Sequence, residues 1–174
     1  MLAETLHELA LQPDLQERVR AELEVARDAA SGELPFDALM SAERLLLFDA
    51  LCRESLRMKN PLADIARCAA RDDVVPLAFP LANGSTRVPV RKGTPILILL
   101  RDGLAVNPDI WGADARAFRP ERWLESPADD RRDLIRAQGN LLTFGDGARV
   151  CLGRQFAITE FKVRSPRYLH TCAC

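Results

Sequence analysis

The stretch Phe144–Ala157, FGDGARVCLGRQFA, sets one cysteine between glycines, two residues after an arginine and just ahead of a helix-like run. Three chemistries compete for it. A dinucleotide fingerprint GxGxxG starting at Gly145 needs glycine where Val150 stands, and a phosphate loop GxxxxGK(S/T) finds neither its spacing nor its lysine at Arg154. The third reading makes Cys151 a metal ligand or a nucleophile. A thiolate at a helix N-terminus feels the positive end of the helix dipole, and flanking glycines let the backbone N–H groups approach it closely. A buried, inert cysteine in a turn is the competing structural reading.

The rest of the chain narrows the setting of this loop. Its 174 residues, 48% hydrophobic with a formal net charge of -1, suffice for one ordinary core and carry no field suited to a polyanion, so nucleic acid is not an expected partner. No apolar run approaches the roughly 18 residues a membrane span requires, and the start MLAETLHELA has neither the basic head nor the cleavage site of a secretory signal. As written, the chain reads as soluble. The five cysteines, Cys52, Cys68, Cys151, Cys172 and Cys174, are odd in number and form no CxxC pair, which suggests neither a disulfide framework nor a four-thiolate zinc site. Cys52 and Cys68 read as small buried apolar residues. The terminal CxC lies where fraying disfavours an ordered metal site.

Hydrophobic periodicity places helices first. Leu2, Leu6 and Leu9 recur at helical spacing until Gln12-Pro13 interrupts them, and Leu15, Val19, Leu23 and Ala26 define a second helix to about Ala30. Ser31 to Pro35 reads as a loop. A third, very apolar helix is expected from near Ser41 to Met58, closed by Asn60-Pro61. Short extended stretches follow at Val74-Val75, Arg87–Val90 and Pro95–Leu100, the last read as a buried strand. An irregular segment rich in Pro, Trp and Arg, Asn107–Trp123, leads to the cysteine loop, and helix returns from Leu152 to about Lys162. The fold class is mainly α with minor β.

Phe144, Gly147, Arg149, Cys151 and Gly153 fit FxxGxRxCxG residue by residue, with Ala157 a turn further on. Here the chain resembles the cytochrome P-450 family, whose haem-binding signature is this pattern. The resemblance implies that Cys151 is the proximal ligand of haem iron, its thiolate pushing electron density onto iron to favour O–O cleavage. It further implies that Phe144 shields the sulfur, that Arg149 pairs a haem propionate, and that Gly147 and Gly153 tighten the turn. The cofactor implied is haem b, with NADPH acting only indirectly, through an electron-donating reductase.

A Glu-x-x-Arg pair is a weak signal alone, and Glu17…Arg20 and Glu24…Arg27 read as solvated surface pairs. Glu54…Arg57 sits instead inside the most apolar helix, just ahead of Pro61. Phe118-Arg119-Pro120-Glu121-Arg122-Trp123 resembles the family's Phe-x-Pro-Glu-Arg-aromatic element, which implies a structural triad of Glu54, Arg57 and Arg122. Bidentate guanidinium–carboxylate geometry suits the pinning of a segment that lacks regular hydrogen bonding. By the same resemblance Arg67, ten residues after Arg57, falls where the family commonly places a second propionate-binding arginine. Leu62, Ala63, Asp64 and Ile65 then face substrate, a small hydrophobic organic molecule. Asp64 is unexpected in such a pocket: it either points away or meets a polar substrate group.

The resemblance covers residues 1 to about 162, read as the C-terminal part of the family domain with the haem-ligand loop at 144–153. The family's acid–Thr oxygen-activation motif, its anterior helices and its N-terminal membrane anchor are not in the sequence. The endoplasmic reticulum membrane, implied for full-length members, is thus reached only through that missing anchor. Residues 163–174, VRSPRYLHTCAC, are expected to diverge from the family fold as translated intron or shifted frame, with Pro166 stopping the helix. His7 and His170 receive no role. Two readings follow: the haem-binding portion of a monooxygenase that inserts one atom of dioxygen into an organic substrate, or a truncated, non-catalytic remnant with weak or no haem binding. Little or no monooxygenase activity is expected of the chain alone.

Overall fold

Gln12-Pro13 separates two helices that touch, α1 (Leu2–Leu11) and α2 (Pro13–Val25), in the computed structural model, which describes residues 1–28, 31–125, 131–135, 137 and 140–171. Pro13 occupies the first turn of α2, where its missing N–H costs nothing. The apolar stripe then buries as its spacing requires: Leu9, Leu15, Val19 and Leu23 all enter the main core.

The third helix begins later than its sequence predicts. A short α3 (Phe36–Met40) precedes a turn, and α4 runs Leu46–Met58 rather than from Ser41. The reason is a tertiary cap. Glu22 of α2 accepts hydrogen bonds from the N–H groups of Leu47 (2.9 Å) and Phe48 (2.8 Å), satisfying two donors that open the helix. No local sequence signal announces a cap supplied from 25 residues away. One side of α4 gives Phe48, Leu51 and Cys52 to the core, while Glu54 and Arg57 are buried elsewhere.

Two small antiparallel ribbons follow. β1 (Asp64–Cys68) pairs with β4 (Pro95–Leu99), Asp64 opposite Leu99 and Cys68 opposite Pro95; β2 (Asp73–Pro76) pairs with β3 (Arg87–Val90). β4 is not the buried strand its apolar run suggests: Leu97 is 57% and Leu99 49% exposed, while Ile96 and Ile98 are half-buried. A two-stranded ribbon covers one face only, so an unbroken apolar run does not guarantee burial on both. Cys68, on the same ribbon, is likewise exposed rather than buried; Cys52 is buried.

The aromatic segment forms a second, smaller core around α5 (Pro108–Trp111) and a 3-10 turn at Pro120–Trp123. Trp111 and Trp123 meet edge to face, ring centroids 5.4 Å apart.

The last helix, α6 (Arg154–Thr171), corrects a further expectation: Pro166 lies inside it and does not stop it. An interior proline costs a helix about 3 kcal/mol. Phe161, Ser165 and Leu169, spaced four apart, bury one face, and the two apolar members enter the main core. Each contributes roughly 1.5–3 kcal/mol, enough to offset the proline. Arg20 of α2 also donates to the Leu169 carbonyl at 2.7 Å, and His170 meets Glu24 at 2.5 Å. Cys172 and Cys174 lie outside the described residues. The architecture is mainly α with minor β, and no helix among the described residues is long and apolar enough to cross a membrane.

Candidate functional site

The cysteine loop is a chain reversal built on two glycines. Gly145 (φ +72) and Gly147 (φ +67) take left-handed backbone conformations that residues with a Cβ adopt at a cost. The reversal returns the Cys151 N–H to the Phe144 carbonyl at 2.8 Å, and the Val150 N–H to that of Gly147 at 3.1 Å. Gly153 differs: a Cβ there would meet nothing nearer than Cys151 Sγ at 4.0 Å, so neither space nor φ requires glycine. Arg154 opens α6 with its N–H on the Cys151 carbonyl, 3.3 Å away, which sets the thiol just ahead of the helix N-terminus. Cys151 is exposed, against the reading of a buried, inert cysteine.

The thiol stands on the wall of a cleft of about 610 Å³. Among the sequence-predicted residues, Phe144, Arg149 and Cys151 from the loop, Leu62, Ile65 and Arg67 from the β1 region line this cleft together. Gly147, Gly153, Ala63 and Asp64 do not. Strand alternation explains the last: Ile65 and Arg67 share one face of β1, and Asp64 lies on the other. Leu56, Ala157 and Phe161 complete an apolar lining that the sequence reading did not assemble, because it joins α4 and α6 across the fold.

Charge in the cleft is one-sided near the thiol. Arg67 donates to the Ala66 carbonyl at 2.8 Å, and neither it nor Arg149 forms an ion pair with another described residue. Glu160, also on the cleft wall, is taken by Arg164 at 3.1 Å. The donor set bears on what could bind. No three His, Cys, Asp or Glu side chains converge among the described residues, so a metal at Cys151 would have one protein thiolate and would bring its remaining ligands with it. A flat apolar macrocycle with anionic edges suits an apolar wall, one accessible thiol and two guanidinium groups without counterions. The residues present fit haem.

Beneath the cleft lies a buried ionic network. Glu54, 0% exposed, takes Arg57 in a bidentate grip (Nε–Oε2 2.9 Å, Nη2–Oε1 2.6 Å) and accepts from Arg122 Nε at 3.0 Å. The Arg119 N–H (2.9 Å) and Trp123 Nε1 (3.0 Å) bring its donors to five. Arg57 also donates to the carbonyls of Ala105, Ala115 and Ala117, and Arg122 to those of Trp111, Asp114 and Ala117. Two guanidinium groups thus satisfy a meander that has few backbone partners of its own. Thr143 ties the cysteine loop to the same helix through the Leu56 carbonyl, 2.9 Å away.

Sequence reasoning missed three members of the network. Asp114 pairs with Arg122 (3.2 Å) and with Arg119 (2.7 Å), and Glu125 takes the far side of Arg119. Arg57, Arg119 and Arg122 are therefore balanced by Glu54, Asp114 and Glu125. Burial pushes the Asp114 carboxyl up, but hydrogen bonds and charge from Arg122 and Arg119 outweigh it and hold the group below its ordinary range. The Arg119 hydrogen bond likewise lowers Glu125, and Glu125 in turn raises Arg119. Asp114 carries no sequence signal of its own, being an acid in a polar loop. Counting three arginines against one buried glutamate could have called for it.

Known proteins resemble the chain over most of its length. The cytochrome P-450 family model matches residues 2–173. A cytochrome P-450 monooxygenase of Postia placenta is 40% identical over 169 residues, covering 93% of this chain and 30% of that protein. A ganoderic acid synthetase of Ganoderma lucidum is 39% identical, with 93% and 30% covered, and a cytochrome P-450 monooxygenase of Ampulloclitocybe clavipes is 41% identical, with 90% and 29% covered. The chain spans less than a third of the length of these relatives.

Proposed function

The chain belongs to the cytochrome P-450 family, and from that premise we propose that it forms the haem-ligating portion of a monooxygenase. Residues 1–162 carry this portion, with the ligand loop at 144–153. Cys151 would ligate the iron of haem b, Phe144 would cover its sulfur, and Arg149 and Arg67 would hold the propionates. Gly147 makes the reversal that presents the thiol. Leu62 and Ile65 line the substrate side and favour a small hydrophobic organic molecule, with Asp64 turned from it. When bound, haem supplies activation of dioxygen, with electrons drawn from NADPH through a reductase and one oxygen atom going to substrate.

The chain's own residues perform three tasks. The loop presents sulfur at the cleft wall, just ahead of the start of α6. Two arginines neutralise anionic edges that an apolar cleft would otherwise exclude. The Glu54–Arg57–Arg122 network holds the meander, and through Thr143 the loop, at a fixed height on α4.

One observation carries this reading: an exposed thiol and two arginines without ion pairs among the described residues share one apolar cleft. Titration of the chain with haem, followed by absorbance, tests it. Saturation at one haem per chain is expected. Absence of a saturable complex would contradict the reading.

A further inference from the structure

α6 carries the cysteine loop at its start and leans mainly on α1, α2 and α3. Its polar link to α4, the helix that holds the ionic network, is a separate ion pair. Lys162 Nζ lies 2.7 Å from Asp49 Oδ1, with side chains only 7% and 14% exposed, and the other Asp49 oxygen accepts from Arg53 Nε at 2.7 Å. Arg53 in turn lies over the ring of Trp123, 5.9 Å from its centroid, whose Nε1 donates to Glu54. Asp49 therefore connects α6 to the network under the meander.

The spacing gives this link its meaning. α4 grips the cysteine segment at both ends, upstream where Thr143 Oγ1 donates to the Leu56 carbonyl and downstream where Lys162 meets Asp49. Cys151 stands between the two grips. Cys52, one turn from Asp49, is no rival counterion for Lys162, because burial pushes its thiol far up and keeps it neutral. Asp49 is thus the carboxylate that a nearly buried lysine depends on, and removing either partner leaves the other charge uncompensated.

We propose that Asp49 and Lys162 are positioning residues that clamp the middle of α6 against α4 and so set the placement of the Cys151 sulfur at the head of that helix. The proposal rests on the haem-thiolate reading for its consequence, but the clamp itself can be measured without haem. Loss of either partner frees α6 to shift on its apolar supports while the network under the meander stays intact.

The test uses the 174-residue chain with Asp49→Asn, Lys162→Met and the double variant Asp49→Asn/Lys162→Met. Hydrogen exchange of the haem-free chain is expected to rise about tenfold for amides between Cys151 and Lys162 in each single variant, with β1 unchanged, and to rise no further in the double variant. With haem added, the fraction showing the thiolate-type reduced carbonyl spectrum is expected to drop severalfold at unchanged total haem. Uniform acceleration of exchange across the chain, or none, would overturn the clamp. Local acceleration with an unaltered thiolate fraction would overturn the positioning role. If the unsubstituted chain takes up no haem, the haem reading fails, and the exchange pattern alone decides whether the clamp holds Cys151 in place.

Discussion

Replacing Glu54 by Gln keeps the side chain's shape and removes its charge, which makes it the sharpest probe of what holds the loop. Glu54 accepts five hydrogen bonds, three on Oε1 and two on Oε2. An amide puts an N–H₂ where one of those oxygens stood, so at least two donors then face another donor. Arg57 and Arg122, 1% and 5% exposed, lose their shared counterion, and Asp114 remains for Arg122 alone. Breaking a buried pair from one side costs about 3–5 kcal/mol, a large share of the 5–15 kcal/mol that typically separates folded from unfolded chains. For a chain of this size that is a fall of roughly 6–20 °C in melting temperature. Urea unfolding followed by circular dichroism measures it, with Arg44→Ala as control, since Arg44 and Asp37 are 59% and 74% exposed and their pair is worth about 0–1 kcal/mol. A Glu54→Gln loss no larger than the control's would refute the claim that this network holds the meander.

Three other outcomes follow from the geometry. Asp114 and Glu125 are held below their ordinary values of 3.8 and 4.5, so the folded chain binds fewer protons than the unfolded one at acid pH. Their contribution to stability is whole above those values and lost as pH falls through the lower folded ones; Asp114→Asn should flatten that acid limb in a melting-temperature profile. Gly147→Ala should destabilise by about 1–2 kcal/mol, because φ is +67 although a Cβ there meets nothing, whereas Gly153→Ala should cost within about 0.5 kcal/mol; thermal melts separate the two. Arg149→Met and Arg67→Met should each weaken haem binding about tenfold or more, the equivalent of one charge-assisted hydrogen bond, read from a haem titration.

What was legible in the sequence was whatever local spacing encodes. The stripe of Leu9, Leu15, Val19 and Leu23, the turn at Gly147, and the Glu54–Arg57 pair one turn apart all follow from neighbours in the chain, although the second glycine of the reversal is Gly145 and not Gly153. Tertiary contacts decided the rest. α4 starts at Leu46 because Glu22 caps it from α2, and α6 passes Pro166 because Phe161 and Leu169 have a core to enter. β4 stays half-exposed because an apolar run does not say how many faces will be covered. In the site, the loop residues and Arg67 could be named from motifs, but the cleft wall from Leu56, Ala157 and Phe161 exists only once α4 and α6 meet. Asp114 and the Lys162–Asp49 pair were invisible for the same reason: an acid gains its role from arginines and lysines far away in the chain.

The central claim is that Cys151 ligates haem iron as a thiolate, and the reduced carbonyl spectrum of the haem-loaded chain, compared with Cys151→Ser, tests it most directly. The thiolate-type band is expected in the unsubstituted chain and absent in Cys151→Ser, with melting temperature little changed because the side chain is exposed. The same spectrum from both chains would contradict the account.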